Sequence, residues 1–457
     1  MGNMPLLKVA HSEEKRRFDP LGLISTHEHT EHEENEGALC SLKRQMSMKE
    51  LLLLLSMSFS YTLCFNTLNN IVIPKIVGRL GNNKQSLWLA LLMVLGALCQ
   101  MSTPLVGAYS DRVGNRALFL VSGSAVTVMG LFMFILVELT DMVIILCLAQ
   151  VLSTVGLSVI YSMVMALLTD YVVEDQTGKG SGAMALLALT GSGVGYAMLA
   201  ADVPVKYCLC SYVIVTLFCL TLTLNSIPIV ETLRPAQQPA RFCDTVTAAF
   251  TMPSFRVFPD FFLACVGRAL FNGGLASQVY LVFFVRDVFL STSPVRITST
   301  LSMAALMGGF LGAIPSGIFS DRIGRKPVVY AALFLCTTSL VLLLLVRDIK
   351  LLYVVGFLHG FGSASYLSVD HALGILTLPR KCGFPIDAAK DLGLFATSAT
   401  FGTLVGQVAY GTMLQAFMGY TEAGLVRYSY FGFIVIFMLS GVAFIVSGVT
   451  VVFIRLK

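Results

Sequence analysis

The amino-acid sequence predicts an all-α membrane protein with 12 transmembrane helices in two six-helix bundles related by pseudo-symmetry. Three observations carry this prediction: an apolar composition, twelve apolar stretches of spanning length, and a loop motif that occurs once in each half. Of 457 residues, 56% are hydrophobic and 12% charged, and the mean hydropathy is +0.80. Soluble domains carry about 25% charged residues. Lipid is therefore the main solvent of this chain, which excludes a cytosolic enzyme. The net charge of +5, from 31 Lys and Arg against 26 Asp and Glu, is too small to indicate a nucleic-acid partner.

A helix needs ~20 apolar residues to cross ~30 Å of hydrocarbon. Stretches of that kind run over 50–74, 85–108, 117–138, 141–169, 181–201, 207–229, 257–285, 297–318, 327–346, 350–377, 391–416 and 428–454. The expected organisation is a polar N-terminal tail over 1–49, a first bundle over 50–229, a linker over 230–256 and a second bundle over 257–454. The tail precedes the first apolar run, so no cleavable signal peptide is expected. An N-terminal Met-Gly hints at myristoylation, but Leu6 stands where that motif needs Ser or Thr. His27, His29 and His32 alternate with carboxylates, a composition that fits a solvated disordered segment better than a metal site. Lys43, Arg44 and Ser47 form a short basic patch with a kinase-type serine, a pattern common by chance.

Basic residues are retained on the cytoplasmic side of a membrane protein. With a cytoplasmic N-terminus, 21 Lys and Arg fall in the tails and even-numbered loops, 9 fall on the other side, and Arg268 lies inside a helix. Both termini are therefore expected in the cytoplasm. Of the 11 cysteines, most lie inside apolar runs, among them Cys64, Cys99, Cys147, Cys219, Cys265 and Cys336, where Cys acts as a small hydrophobe. Cys208 and Cys210 have no CxxC-type partner, so neither a metal nor a disulfide is expected.

The halves repeat each other. Gly107, Asp111, Arg112, Gly114, Asn115 and Arg116 return 210 positions later as Gly317, Asp321, Arg322, Gly324, Arg325 and Lys326. Each copy joins the second helix of its half to the third. Gly182, Gly191 and Gly195 of the fifth stretch align with Gly393, Gly402 and Gly406 of the eleventh at an offset of 211. Their GxxxG spacings allow close backbone approach where lipid provides no hydrophobic drive to pack. Phe65 and Asn66 match Phe271 and Asn272 at an offset of 206. Parallel six-helix repeats of this kind are a secondary-transporter layout.

These residues resemble the major facilitator superfamily, from about Lys49 to the end of the chain. The family pattern, Gly-x-x-x-Asp-Arg-x-Gly-Arg-Arg/Lys, is complete in the second copy and departs in the first at Asn115. The resemblance implies a latch on the outward-facing state, and the charges alone also act as a topogenic loop. Glycines at 107 and 317 would permit close helix contact, those at 114 and 324 a tight turn, and Asp111 or Asp321 would accept hydrogen bonds from an Arg or a helix N-terminus. Two signatures of subfamilies are absent: the fourth helix reads Gln150 to Gly156 without the Arg of proton-coupled members, and the fifth lacks the Gly-Pro pair of drug antiporters.

Ionisable groups at bilayer depth are costly, roughly 2.5 to 3.5 kcal/mol each, and face the bundle interior. Arg268 and Asp370 reach similar depths in the seventh and tenth helices, so they are expected to pair. Asp370 with His371 is a candidate for proton coupling or for a charged substrate group held jointly with Arg268, and a permanent structural pair is the other reading. His359, beside Gly360 and Gly362, reads as a packing histidine. Asn66 and Asn272 are the sharper substrate candidates, since an amide offers both a donor and an acceptor, and interhelical bonding is the plainer account. Arg268 and Asn272 share one helix face at i, i+4. Gln150, Tyr161 and Gln278, with Asn69, Asn70 and Gln407, would extend a polar lining.

The sequence thus predicts a secondary active transporter of a small polar solute, a sugar or organic acid, working by alternating access and open to proton coupling. The expected partners are that solute, the bilayer and protons, with the chain a monomer. No cofactor, catalytic group, nucleotide site or nucleic-acid contact is expected. A transporter-shaped receptor that binds without flux is the alternative, and a drug or metabolite exporter a weaker one.

Overall fold

The chain enters its first helix at Ser47, whose hydroxyl accepts the Glu50 N–H while the Glu50 carboxylate accepts the Ser47 N–H at 2.7 Å. This reciprocal cap satisfies two donors that a helix start leaves open. A computed structural model describes residues 45–113, 115–173, 176–227, 258–377, 380–381, 384–385, 388–421 and 424–455. The expected tail, apart from its last residues, and the expected linker lie outside the described residues.

The first span is built from α1 (Met48–Leu54), α2 (Met57–Thr67), a π turn (Leu68–Val72) and α3 (Ile73–Leu80). It bends by 51° between α1 and the rest. The second consists of α4 (Gln85–Gln100) and α5 (Thr103–Val113), and α6 (Arg116–Thr140), α7 (Val143–Tyr171), α8 (Thr177–Ala200) and α9 (Val205–Ser226) complete the first bundle. The seventh span joins α10 (Pro259–Leu275), a 3-10 turn (Ala276–Tyr280) and α11 (Leu281–Val288). The remaining spans are α12 (Pro294–Ile323), α13 (Arg325–Leu345), α14 (Ile349–Thr377), α15 (Ala388–Ala416) and α16 (Tyr430–Phe453). Among the described residues, ten helical segments are long and apolar enough to cross a bilayer, and the bent first span makes an eleventh. The remaining span, α15, the eleventh in chain order, carries Thr, Ser, Gly and Gln along its length and is packed against α10 of its own bundle and α4 of the other.

Two short hairpins interrupt this otherwise helical chain. Strands β1 (Arg380–Lys381) and β2 (Phe384–Pro385) pair antiparallel after the tenth span, and β3 (Met418–Tyr420) pairs with β4 (Val426–Tyr428) after the eleventh. The eighth and ninth spans meet at Gly324, whose φ of 93° is open to glycine and strained for other residues. That turn is the tight one the motif predicts.

Small residues set the packing within each bundle. A Cβ on Gly191 or Gly195 would strike the first span, at the Phe59 carbonyl and at Thr67. A Cβ on Gly402 or Gly406 would strike the seventh, at the carbonyls of Ala269 and Gly273. The fifth span therefore lies on the first as the eleventh lies on the seventh. Gly182 and Gly393 differ from the sequence expectation, because an added Cβ there meets nothing within 4 Å.

Even-numbered spans return the chain to the face where it enters at Met48 and leaves at Phe453, here the near face. The hydrogen bonds and ion pairs between described residues that join the two bundles lie at the opposite, far face. Ser86 donates its N–H to the Tyr428 hydroxyl at 2.8 Å and its own hydroxyl bonds Gln415 Oε1 at 2.8 Å. Gln415 Nε2 reaches the Asn83 carbonyl at 2.6 Å, and Arg286 Nη1 reaches Gln85 Oε1 at 3.0 Å. An exposed pair, Arg296 with Asp202 at 3.4 Å, adds to this seam.

Candidate functional site

The irregular turns of the first and seventh spans occupy corresponding places, 68–72 and 276–280, and contact each other at the bundle boundary. A π or 3-10 turn breaks the helical ladder and leaves backbone groups to be satisfied from elsewhere. In the seventh span Gln407 Nε2 takes the Ala276 carbonyl at 3.0 Å, and Tyr280 donates to the Gln407 carbonyl at 3.2 Å. In the first, the turn carries Asn69 and Asn70. Broken helices at the boundary between repeats are where transporters of this layout place their sites.

A cavity of about 720 Å³ opens beside these turns, bounded by the first and fifth spans on one side and by the seventh, eighth, ninth, tenth and twelfth on the other. Its wall is mostly apolar, and its polar groups are neutral. From the first bundle, Asn66 Nδ2 donates to Ser192 Oγ at 2.7 Å and Asn70 Nδ2 to the Tyr196 hydroxyl at 3.0 Å. From the second, Gln278 Nε2 lies 2.8 Å from His359 Nε2, and His359 Nδ1 lies 2.8 Å from Ser339 Oγ. Ser339 in turn donates to the Cys336 carbonyl at 2.7 Å. This is a one-directional chain: the amide donates to Nε2, Nδ1–H donates to the serine, and the serine donates to the backbone. Gln278 Oε1 is left without a bond among the described residues, at the cavity wall.

A second polar cluster lies closer to the near face, on the seventh and tenth spans. Arg268 Nη1 forms an ion pair with Asp370 Oδ2, and both side chains are buried. The expected pairing is present. His371 donates Nδ1–H to the Leu367 carbonyl at 3.1 Å and turns Nε2 to Arg268 Nη2 at 3.5 Å. The guanidinium also stacks over the Phe395 ring at 4.4 Å, while Arg268 Nε has no partner.

The family model described as the Major Facilitator Superfamily matches residues 21–196. The fold is similar, over nearly the whole chain, to solved transporters. For the nucleoside transporter NupG the TM-score is 0.69 at 14% identity, covering 88% of this chain and all (100%) of that one. For the peptide transporter POT in complex with sulfate it is 0.70 at 13% identity, covering 92% and 97%. A bacterial homolog of the human lysosomal transporter Spinster, inward-facing and unoccupied, gives 0.63 at 16%, covering 90% and 98%. The fold is that of these transporters, and residues 21–196 are similar to the major facilitator family model. No curated protein matches its sequence.

Within that fold the sequence candidates separate into two groups. Asn66 and Gln278 line the cavity. Asn272, Arg268, Gln150 and Tyr161 do not. Asn272 turns its amide back to the Arg268 carbonyl at 2.9 Å, and Arg268 is committed to Asp370. Gln150 is buried behind the first span, donating to Asn69 Oδ1 at 3.2 Å, and Tyr161 packs on Tyr61 with ring centroids 5.0 Å apart. Residues that the sequence reading did not place in the lining are Ser192, Tyr196, Ser302, Ser339 and Ser363. His359, read from sequence as a packing residue, also faces the cavity. Hydroxyls in membrane helices mostly bond their own backbone, so sequence alone does not mark them.

Of the loop motif, Gly114 and the side chains of Asp111, Arg112 and Asp321 lie outside the described residues. Arg116 is buried and ties the start of the third span to the end of the fourth, with Nε 3.1 Å from Asp170 Oδ2 and Nη1 2.9 Å from Ser110 Oγ. Asp170 is a partner that the motif did not announce. Lys326 Nζ reaches the Val452 carbonyl at 3.1 Å, so the second copy anchors to the twelfth span. Gly107 approaches Ser162, but Gly317 meets nothing within 4 Å and supports no close helix contact.

Proposed function

We propose that this protein is a secondary transporter that carries a small uncharged solute by alternating access, with its near face in the cytoplasm. The observation that carries the reading is the cavity between the bundles, joined across at the far face and lined by neutral donors and acceptors. An organic acid fits this lining poorly, because no Arg or Lys lies among its described residues and a buried carboxylate without a cation is costly. A neutral solute with apolar surface and two or three hydrogen-bonding groups suits Asn66, Gln278 and the mostly apolar wall. The basic-residue bias favours the cytoplasmic assignment of the near face. The segment 230–256 then links the bundles on that side, and the chain works as a monomer.

The Arg268–Asp370–His371 cluster is the coupling element in this proposal. A carboxylate that exchanges a proton while keeping its partner arginine would link the near-face opening to proton movement, and the exposed His371 provides a route to it.

A thermal-shift panel tests the substrate class. Nucleosides, hexoses and dipeptides, the first and last suggested by what NupG and POT are named for, are set against mono- and dicarboxylates. A ligand at 100 times its Kd adds ~2.7 kcal/mol to the folded state. Stabilisation by a neutral solute that weakens in Gln278→Ala is expected. Stabilisation by carboxylates alone would overturn the uncharged-solute reading.

A further inference from the structure

A second cavity, of about 600 Å³, lies at the far face beneath the β3–β4 hairpin and beside the start of α16. Two guanidinium groups line it, Arg347 from the loop after α13 and Arg427 from β4. Each is held in place by neutral groups. Arg347 stacks over the Tyr430 ring at 4.4 Å and donates Nη1–H to the Leu344 carbonyl at 3.2 Å, a carbonyl that also accepts the Tyr430 hydroxyl at 2.6 Å. Arg427 donates Nε–H and Nη2–H to the Asp287 carbonyl at 3.2 and 2.9 Å.

The one carboxylate among the described lining residues is already committed. Asp287 takes Arg286 through both oxygens, at 2.7 and 2.9 Å, and accepts the Tyr428 N–H at 3.1 Å. Asp348, next to Arg347, lies outside the lining and accepts the Lys350 N–H at 2.9 Å, at the start of α14. Neither Arg347 nor Arg427 makes an ion pair with a described carboxylate. Two fixed like charges therefore face one cavity, with Arg347 Nε and Nη2 and Arg427 Nη1 still able to donate.

We infer that this cavity binds a phosphate-type oxyanion. Planar guanidinium forks match the edges of tetrahedral oxyanions and bind them more strongly than neutral donors do. Occupancy also bears on the far-face seam, because Arg427 adjoins Tyr428, whose hydroxyl meets Ser86 of the other bundle. A bound oxyanion would hold the hairpin in the position that keeps that seam closed. The same chemistry is available from a lipid headgroup at the bilayer surface and from free phosphate.

The test uses the full chain and reads its melting temperature in two arms. In an uncharged detergent, inorganic phosphate is titrated against chloride at matched ionic strength. In phosphatidylcholine nanodiscs, phosphatidylglycerol is added in steps. A saturable rise in either arm is expected: the phosphate arm identifies a soluble ion, the lipid arm a headgroup, and a rise in both a site open to each. Arg347→Gln should weaken half-saturation about tenfold, the loss expected for one charge-assisted bond, whereas Arg347→Lys should retain part of the effect. Lys206→Gln, an exposed far-face change outside the cavity, should match the unmodified chain. Absence of a saturable rise in both arms, or equal half-saturation in the unmodified chain and Arg347→Gln, would overturn the site.

Discussion

Gln278 Nε2 lies 2.8 Å from His359 Nε2, which fixes the imidazole as an acceptor toward the cavity side and a donor toward Ser339. The histidine is thereby withdrawn from direct solute contact, and Gln278 Oε1 becomes the exposed acceptor of the pair. Removing that amide should weaken solute binding while leaving the fold intact. A neutral hydrogen bond contributes about 0.5 to 1.5 kcal/mol. Gln278→Ala should therefore raise the KM for the transported solute about 2- to 10-fold, as read from initial uptake rates. His359→Ala should cost more, because it also strands Ser339 and Gln278.

The Arg268–Asp370 pair offers a contrast between single and double replacement. Removing one member leaves a buried, unpaired charge, at a cost of about 3 to 5 kcal/mol, while replacing both by apolar groups is often neutral. Asp370→Leu should lower the thermal stability sharply, and Arg268→Met with Asp370→Leu should recover most of it. Both should abolish any pH dependence of uptake if the pair couples protons. Pair-deficient protein with an unchanged pH profile would remove the coupling role and leave a structural one.

Glycine packing predicts a position-specific pattern. Gly402→Val forces a side chain onto the Ala269 carbonyl, and overpacking of this sort costs about 1 to 3 kcal/mol or more. Gly393→Ala meets nothing within 4 Å and should be neutral or slightly stabilising, since alanine favours a helix by up to ~1 kcal/mol. Melting curves of the two variants in detergent distinguish them.

The far-face seam should set the balance between the two openings. Gln415→Ala removes bonds to Ser86 and to the Asn83 carbonyl, and Arg286→Gln removes the contact with Gln85. Combined, they should increase labelling of a cysteine placed at Ser192 in the cavity by an impermeant thiol reagent applied at the far face. Unchanged labelling would mean that the apolar contacts of α4 with α15 suffice to keep that side closed.

Much of this architecture was legible in the sequence because lipid makes length and apolarity decisive. Composition and the repeated loop sufficed for a multi-span helical fold in two related halves, and GxxxG spacing located the close approaches at Gly191, Gly195, Gly402 and Gly406. The site was less legible. Asn66 and Asn272 are equivalent by sequence, and Ser192 has its own equivalent in Thr403, with each hydroxyl bonded four residues back at 2.9 and 3.0 Å. Yet Asn66 reaches across to Ser192, whereas Asn272 bonds the Arg268 carbonyl. A repeat in sequence specifies a shared backbone, and local partners decide where an amide points. The irregular turns at 68–72 and 276–280 were also hidden, because the 3-10 turn depends on Gln407, a partner more than 100 positions away.

Alternating access around a neutral cavity can be read from counterflow. Proteoliposomes are preloaded with an unlabelled nucleoside, hexose or dipeptide and diluted into its labelled form. Transient, saturable accumulation of label is expected for an uncharged solute, reduced in Gln278→Ala and absent from empty liposomes. Label that merely equilibrates without overshoot, at a rate that does not saturate, would contradict a carrier and indicate an open pore.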